Sequence, residues 1–165
     1  MEHAASINPW LIALEQSALG ETMRSSLLLY PAVEVLHILG FVLLVGSIVG
    51  LDLRLLGFSL GLPVAPFARH AVPLAMLGFC IAVPMGVMLF STEATHIAVN
   101  PAFQAKLVCI MVGLFNAALL HLGPWRAIDL WGVTTYVPPL ARIGAAVSLL
   151  AWCGAVIGGR LIAYL

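Results

Sequence analysis

Residues 33–57 read "VEVLHILGFVLLVGSIVGLDLRLLG". From His37 to Asp52 the run carries no charged residue, and Ser47 is its one polar side chain. About 20 residues at 1.5 Å each span the roughly 30 Å of a bilayer's hydrocarbon, so the run reads as a transmembrane helix. It also poses a chemical question. Glu34 and His37 stand three residues apart near the front of the run, on one helical face.

The rest of the chain agrees with a membrane setting. Its 165 residues are 62% hydrophobic and only 8% charged, where a soluble domain carries about 25% charged residues. So few charges could not cover a surface in water. The net charge of zero gives no attraction to nucleic acid. Cys80, Cys109 and Cys153 sit singly within apolar runs with no C-x-x-C, which argues against a disulfide framework or a zinc site and for buried, inert thiols. Glu2 and His3, without a basic stretch, do not read as a signal peptide.

Four spans follow, at about 31–52, 67–91, 102–122 and 139–163. Each must satisfy its own backbone in lipid, so each is a helix. The second, "FARHAVPLAMLGFCIAVPMGVMLFS", holds Pro73 and Pro84, each of which removes a backbone bond and predicts a kink. Ahead of the spans, residues 8–24 predict one short interfacial helix, capped by Asn8 and opened by Pro9. The fold class is thus all-α: one domain over 1–165, a polytopic four-helix bundle with a short N-terminal interfacial helix. Gly46 and Gly50, and Gly154 and Gly158, each form a G-x-x-x-G that predicts a close-packing face, with Gly144 and Ser148 extending the second. Arg54, Arg69, Arg126 and Arg142 flank one side of the spans, against Arg24, Lys106 and Arg160 on the other. That bias predicts both termini outside the cytoplasm, in the periplasm if the membrane is a bacterial inner membrane.

Alternating helix directions sort the polar residues by depth. An outer layer takes Glu34, His37, His96, Asn100, Lys106 and Arg160. Lys106 and Arg160 are the cations available to Glu34, so an ion-paired cluster is the economical structural reading, with snorkelling open to both cations. An inner layer takes Asp52, Arg54, Arg69, His70, His121, Arg126, Asp129 and Arg142, with Asp52 expected to seek an arginine of another helix. His37 and His121 differ by roughly 20 Å in depth, so they cannot share a ligand.

In a membrane helix, ionisable residues point to function. Paired histidines across a bundle suit haem b, with His37 as the principal iron ligand and His96, Met85 or Met88 as its partner. Lys106 and Arg160 would meet the propionates, and Glu34 would be an awkward second partner for the His37 ring. A second, inner haem would use His70 and His121. A quinone held by His37 and Glu34 is the related option. A copper site is weaker, because the methionines form no tight motif. The expected activity is therefore a membrane redox component that binds haem b and passes electrons, with quinone as a candidate donor or acceptor. A non-catalytic membrane subunit or a small proton or metal carrier is the alternative. The expected partners are the bilayer and either a second copy or a redox protein. No G-x-S-x-G, P-loop or H-E-x-x-H supports hydrolytic or nucleotide chemistry.

Several motifs in order also carry a resemblance. They are "EVLHILG" (34–40), "DLRLLG" (52–57), "NPAFQAK" (100–106), "NAALLH" (116–121) and "GRLIAY" (159–164). On these the chain, from about residue 30 onward, resembles a family of small bacterial four-helix integral membrane proteins known as a domain of unknown function. The resemblance implies the fold, places Glu34, His37, Lys106, Asn116, His121 and Arg160 in the family pattern, and implies no activity. This chain has Pro84-Met85-Gly86 where that family usually has Thr-Gly, and His70 matches none of its motifs. A likeness to haem-binding four-helix cytochromes and copper-resistance domains rests on architecture alone.

Overall fold

The computed structural model describes residues 8–58, 60–131 and 137–165. Glu2 and His3 lie outside the described residues. In chain order the helices are α1 (Pro9–Glu15), α2 (Ala18–Ser25), α3 (Leu29–Leu56), α4 (Val64–Phe90), α5 (Ala94–Val99), α6 (Pro101–Leu122), the 3-10 helix η1 (Pro124–Leu130) and α7 (Pro139–Leu161). No strand occurs among the described residues.

Four of these helices, α3, α4, α6 and α7, have 28, 27, 22 and 23 residues and mean hydropathies of 2.3, 2.2, 1.9 and 1.8. They match the four predicted spans and are long and apolar enough to cross a membrane. Their outer faces are apolar and bare: Leu39, Val42, Met76, Val108, Phe115 and Leu150 are all more than half exposed. Acyl chains cover such a surface without penalty, whereas water would not. Both Pro73 and Pro84 lie within α4, which runs through them as one helix.

The helices pack in the order α4–α3–α7–α6. Hairpins α3/α4 and α6/α7 are the tight pairs, α3 joins them through α7, and α4 and α6 form no extensive backbone contact. One side of the bundle is therefore open. The tightest seam is α3 against α4, and small residues set it, as close packing between lipid-exposed helices requires. A Cβ on Gly40 would stand 2.8 Å from the Ala82 nitrogen, and one on Gly78 would stand 2.6 Å from the Gly40 oxygen. This corrects the sequence reading of α3: Gly46 has nothing within 4 Å, and Gly50 meets only the Phe67 ring. On α7 the expected face is real and intramolecular. Gly154 seats Cys109, Gly158 seats the α6 backbone at Ala102, and Gly144 seats Leu120.

The N-terminal segment is two helices rather than the single one expected. Ser17 divides it, donating to the Leu14 oxygen at 2.6 Å while its hydroxyl accepts from the Gly20 nitrogen to cap α2. Both helices dock on the α4–α5 turn. Glu15 Oε2 accepts from the Thr95 amide (3.0 Å) and hydroxyl (2.8 Å), and Arg24 donates to the Thr92 and Glu15 oxygens. Met23 is fully buried in this joint. The short α5 was not anticipated. At the opposite end, Gly57 closes α3 in the left-handed conformation (φ 108°). Arg54 is buried, and its Nε donates to the Leu62 oxygen and so secures the following loop.

Candidate functional site

The open α4–α6 side holds two clefts, one above the other. A layer of Leu44 from α3, Phe79 from α4 and Trp152 from α7 lines both and forms the waist between them. The indole of Trp152 fits because α6 has Gly113 opposite, where a Cβ would stand 3.1 Å from its Cε2.

The outer cleft, toward the chain termini, has a volume of about 360 Å³, within the range of ligand pockets. Phe41, Val83, Val87, Phe90, Phe103, Leu107 and Ile110 make it apolar. Phe90 and Phe103 stack at 5.2 Å and bridge its outer end. Its two polar groups are His37 and Lys106. His37 Nδ1 is 2.7 Å from the Ala82 carbonyl oxygen on α4. A carbonyl only accepts, so Nδ1 carries the proton, and in the neutral ring the Nε2 lone pair is left over. The ring lies on Gly86, where a Cβ would be 2.9 Å from its Cε1. Gly86 is therefore the recess that admits the imidazole. The Lys106 ammonium stands 5.8 Å from the centroid of the Phe41 ring, close to the bare backbone of Gly159. No carboxylate pairs with it among the described residues.

The inner cleft, of about 250 Å³, is lined chiefly by Ile48, Leu51, Ala75, Met76 and Leu120, with Trp125 and His121 at its edge. Its polar groups include Asp52 from α3, Ser148 from α7 and Asn116 from α6. Asp52 is 3% exposed and Ser148 5%. Asn116 donates to the Gly144 oxygen at 2.9 Å, tying α6 to α7. Asp52 Oδ2 is fully buried with no hydrogen-bond partner.

The expected outer ion cluster does not form. Glu34 is exposed, makes no ion pair among the described residues and lines neither cleft. The place it was expected to take beside the His37 ring is held by Ala82. Arg160 folds back on its own turn, donating to the Tyr164 hydroxyl at 2.8 Å, and lines neither cleft. His96 is exposed on α5, and Met85 and Met88 face away from the outer cleft lining, so none of the three stands with His37. His70 is exposed, bonds the Pro66 oxygen of its own helix and lines neither cleft. His121 bonds the Ala117 oxygen, lies 5.4 Å from the Trp125 ring and lines the inner cleft alone. Asp52 finds no arginine. The one ion pair among the described residues joins the exposed Arg69 and Asp129. No group of three or more His, Cys, Asp or Glu residues is placed to hold a metal among them. Cys80 and Cys153 are exposed on the apolar surface rather than buried, and Cys109 is half-buried against Gly154.

Sequence reasoning missed Gly86, Trp152 and the meeting of Asp52 and Ser148 in one cleft. A glycine opposite an imidazole leaves no mark in one sequence, and Ser148 read as a small packing residue. Comparison of the chain with known protein families, curated proteins and solved structures returns no match.

Proposed function

We propose that the protein is an integral membrane redox component whose outer cleft holds the head group of a quinone. The observation that carries this reading is the fixed tautomer of His37, with a free Nε2 in the same apolar cleft as the Lys106 ammonium. Nε2 can only accept and Lys106 can only donate. A quinol hydroxyl gives its proton to the first, and a quinone carbonyl takes a hydrogen bond from the second. The apolar tail leaves through the gap between α4 and α6, past Val83, Val87 and Leu107, into lipid. Oxidation of the quinol then releases two electrons to a redox partner protein and two protons, one through His37 Nε2 and the second to water at the outer end of the cleft. In this reading the membrane is a bacterial inner membrane with both termini in the periplasm, which puts the outer cleft at the periplasmic side.

Haem b is the second reading, favoured by the same lone pair, which is the one an iron takes from an oriented imidazole. Among the described residues the outer cleft offers no second imidazole or thioether, and Lys106 is its one other nitrogen ligand. Two measurements on protein purified in mild detergent separate the readings. Organic extraction followed by chromatography should recover quinone, in amounts that fall in His37→Ala and Lys106→Met. Oxidised and reduced spectra with a Soret band and reduced α and β bands, lost in His37→Ala, would establish haem instead. A colourless protein that carries no quinone and binds none when it is added would end both.

A further inference from the structure

The inner cleft contains a charge problem that the outer one does not share. Asp52 is nine-tenths buried or more, and its Oδ2 has no hydrogen-bond partner among the described residues. The Ser148 hydroxyl lines the same cleft and offers a dipole but no charge. The protein's own cations are committed elsewhere or stand apart. Arg54, two residues on, turns its guanidinium to the Leu60 and Leu62 oxygens. Arg69 pairs with Asp129, and Arg126 and Arg142 are exposed and outside the lining. A carboxylate in an apolar site without a counter-ion is unfavourable, so its charge is met by a proton or by a bound cation.

The walls decide which cation. Among the described residues Asp52 is the cleft's one carboxylate, and no group of three or more His, Cys, Asp or Glu is placed to hold a metal ion. Around Asp52 the cleft is instead aromatic and aliphatic, with Phe79, Trp125 and Trp152 among the lining. Indole and phenyl faces attract cations that are weakly hydrated, and they cover an apolar body equally well. We propose that the inner cleft binds a lipophilic organic cation, its charge set on Asp52 and its body against Phe79, Trp125 and Trp152. Phe79 and Trp152 form the waist shared with the outer cleft, but the charge site itself, Asp52 with Ser148 and Trp125 beside it, lines the inner cleft alone.

Phenyltrimethylammonium is a compact quaternary probe, and tert-butylbenzene is its uncharged isostere. Titration of the detergent-purified protein, followed by tryptophan fluorescence, should show saturable binding of the cation. After correction for partition into detergent, the isostere should bind at least tenfold more weakly. Asp52→Asn should weaken cation binding at least tenfold while elution and helical circular dichroism match the wild type. If that variant does not fold, the comparison of cation with isostere in the wild type decides alone. Absence of saturable cation binding, equal binding in folded Asp52→Asn, or an isostere that binds as tightly would overturn the proposal.

Discussion

His37 donates its Nδ1–H to the backbone oxygen of Ala82 across the α3–α4 seam, at 2.7 Å. The bond fixes both the ring's orientation and its tautomer, and so turns a histidine within a span into a defined acceptor. It forms because Gly40 and Gly78 bring the two backbones together and Gly86 leaves space for the ring. The chemistry of the outer cleft therefore depends on three glycines, of which only Gly86 lines the cleft itself.

Gly86→Ala tests that dependence. The added methyl would stand 2.9 Å from His37 Cε1 and 3.3 Å from Nδ1, so the ring must move. Quinone affinity should drop about tenfold, or roughly 1.4 kcal/mol, with the protein still folded. An unchanged dissociation constant would show that the position of the ring does not matter.

The seam itself separates two glycines of α3 and α4 that look alike in sequence. Gly78→Val drives a side chain into the backbone of α3 and should destabilise by about 3 kcal/mol or more. Gly46→Val meets nothing within 4 Å and should change stability by less than about 0.5 kcal/mol. Thermal unfolding in detergent measures both. Equal effects would contradict the assigned seam.

Acid should loosen the N-terminal joint. The amide and hydroxyl of Thr95 bond the Glu15 carboxylate and hold its pKa below its ordinary 4.5. A carboxyl with a lowered folded pKa contributes stability that is fully present above 4.5 and is lost as pH falls from there through the folded value. Hydrogen exchange at the Thr95 amide should therefore quicken below about pH 4.5 relative to the intrinsic rate, and Glu15→Gln should remove that pH step. A step that survives in the variant would assign it to another group.

The Arg69–Asp129 pair links α4 to η1, but its side chains are 68% and 69% exposed. Exposed pairs of this kind contribute about 0–1 kcal/mol and weaken with salt. Asp129→Asn should cost less than about 1 kcal/mol, and less still at high salt. A larger, salt-independent loss would mean that the pair carries the loop.

The fold was legible in the sequence because lipid imposes simple rules. Twenty apolar residues must form a helix, and Asn100-Pro101 and Pro138-Pro139 mark where two of the four start. That His37 and Lys106 belong together was legible by the same logic, since ionisable groups within spans seek company, and both line the outer cleft. Their companions were not. Depth along a helix can be counted from sequence, but the direction a side chain faces depends on which helices touch. Glu34 has the right depth and the wrong face. Asp52 was expected to meet an arginine of another helix, but among the described residues Arg69 pairs with Asp129, and Arg126 and Arg142 are exposed. The break at Ser17 rests on local bonds to Leu14 and Gly20, a capping signal hidden inside an otherwise continuous helical pattern, whereas the short α5 is tied through Thr95 to Glu15, eighty residues away.

The most direct test of the central claim is a quinone titration of protein labelled with ¹⁵N-histidine, followed by NMR of the His37 ring. The account predicts that Nδ1 remains protonated throughout, that the Nε2 resonance shifts and saturates as a short-chain quinol is added, and that Lys106→Met weakens this at least tenfold. A His37 ring whose Nε2 resonance stays unmoved while quinol saturates the detergent phase would contradict it.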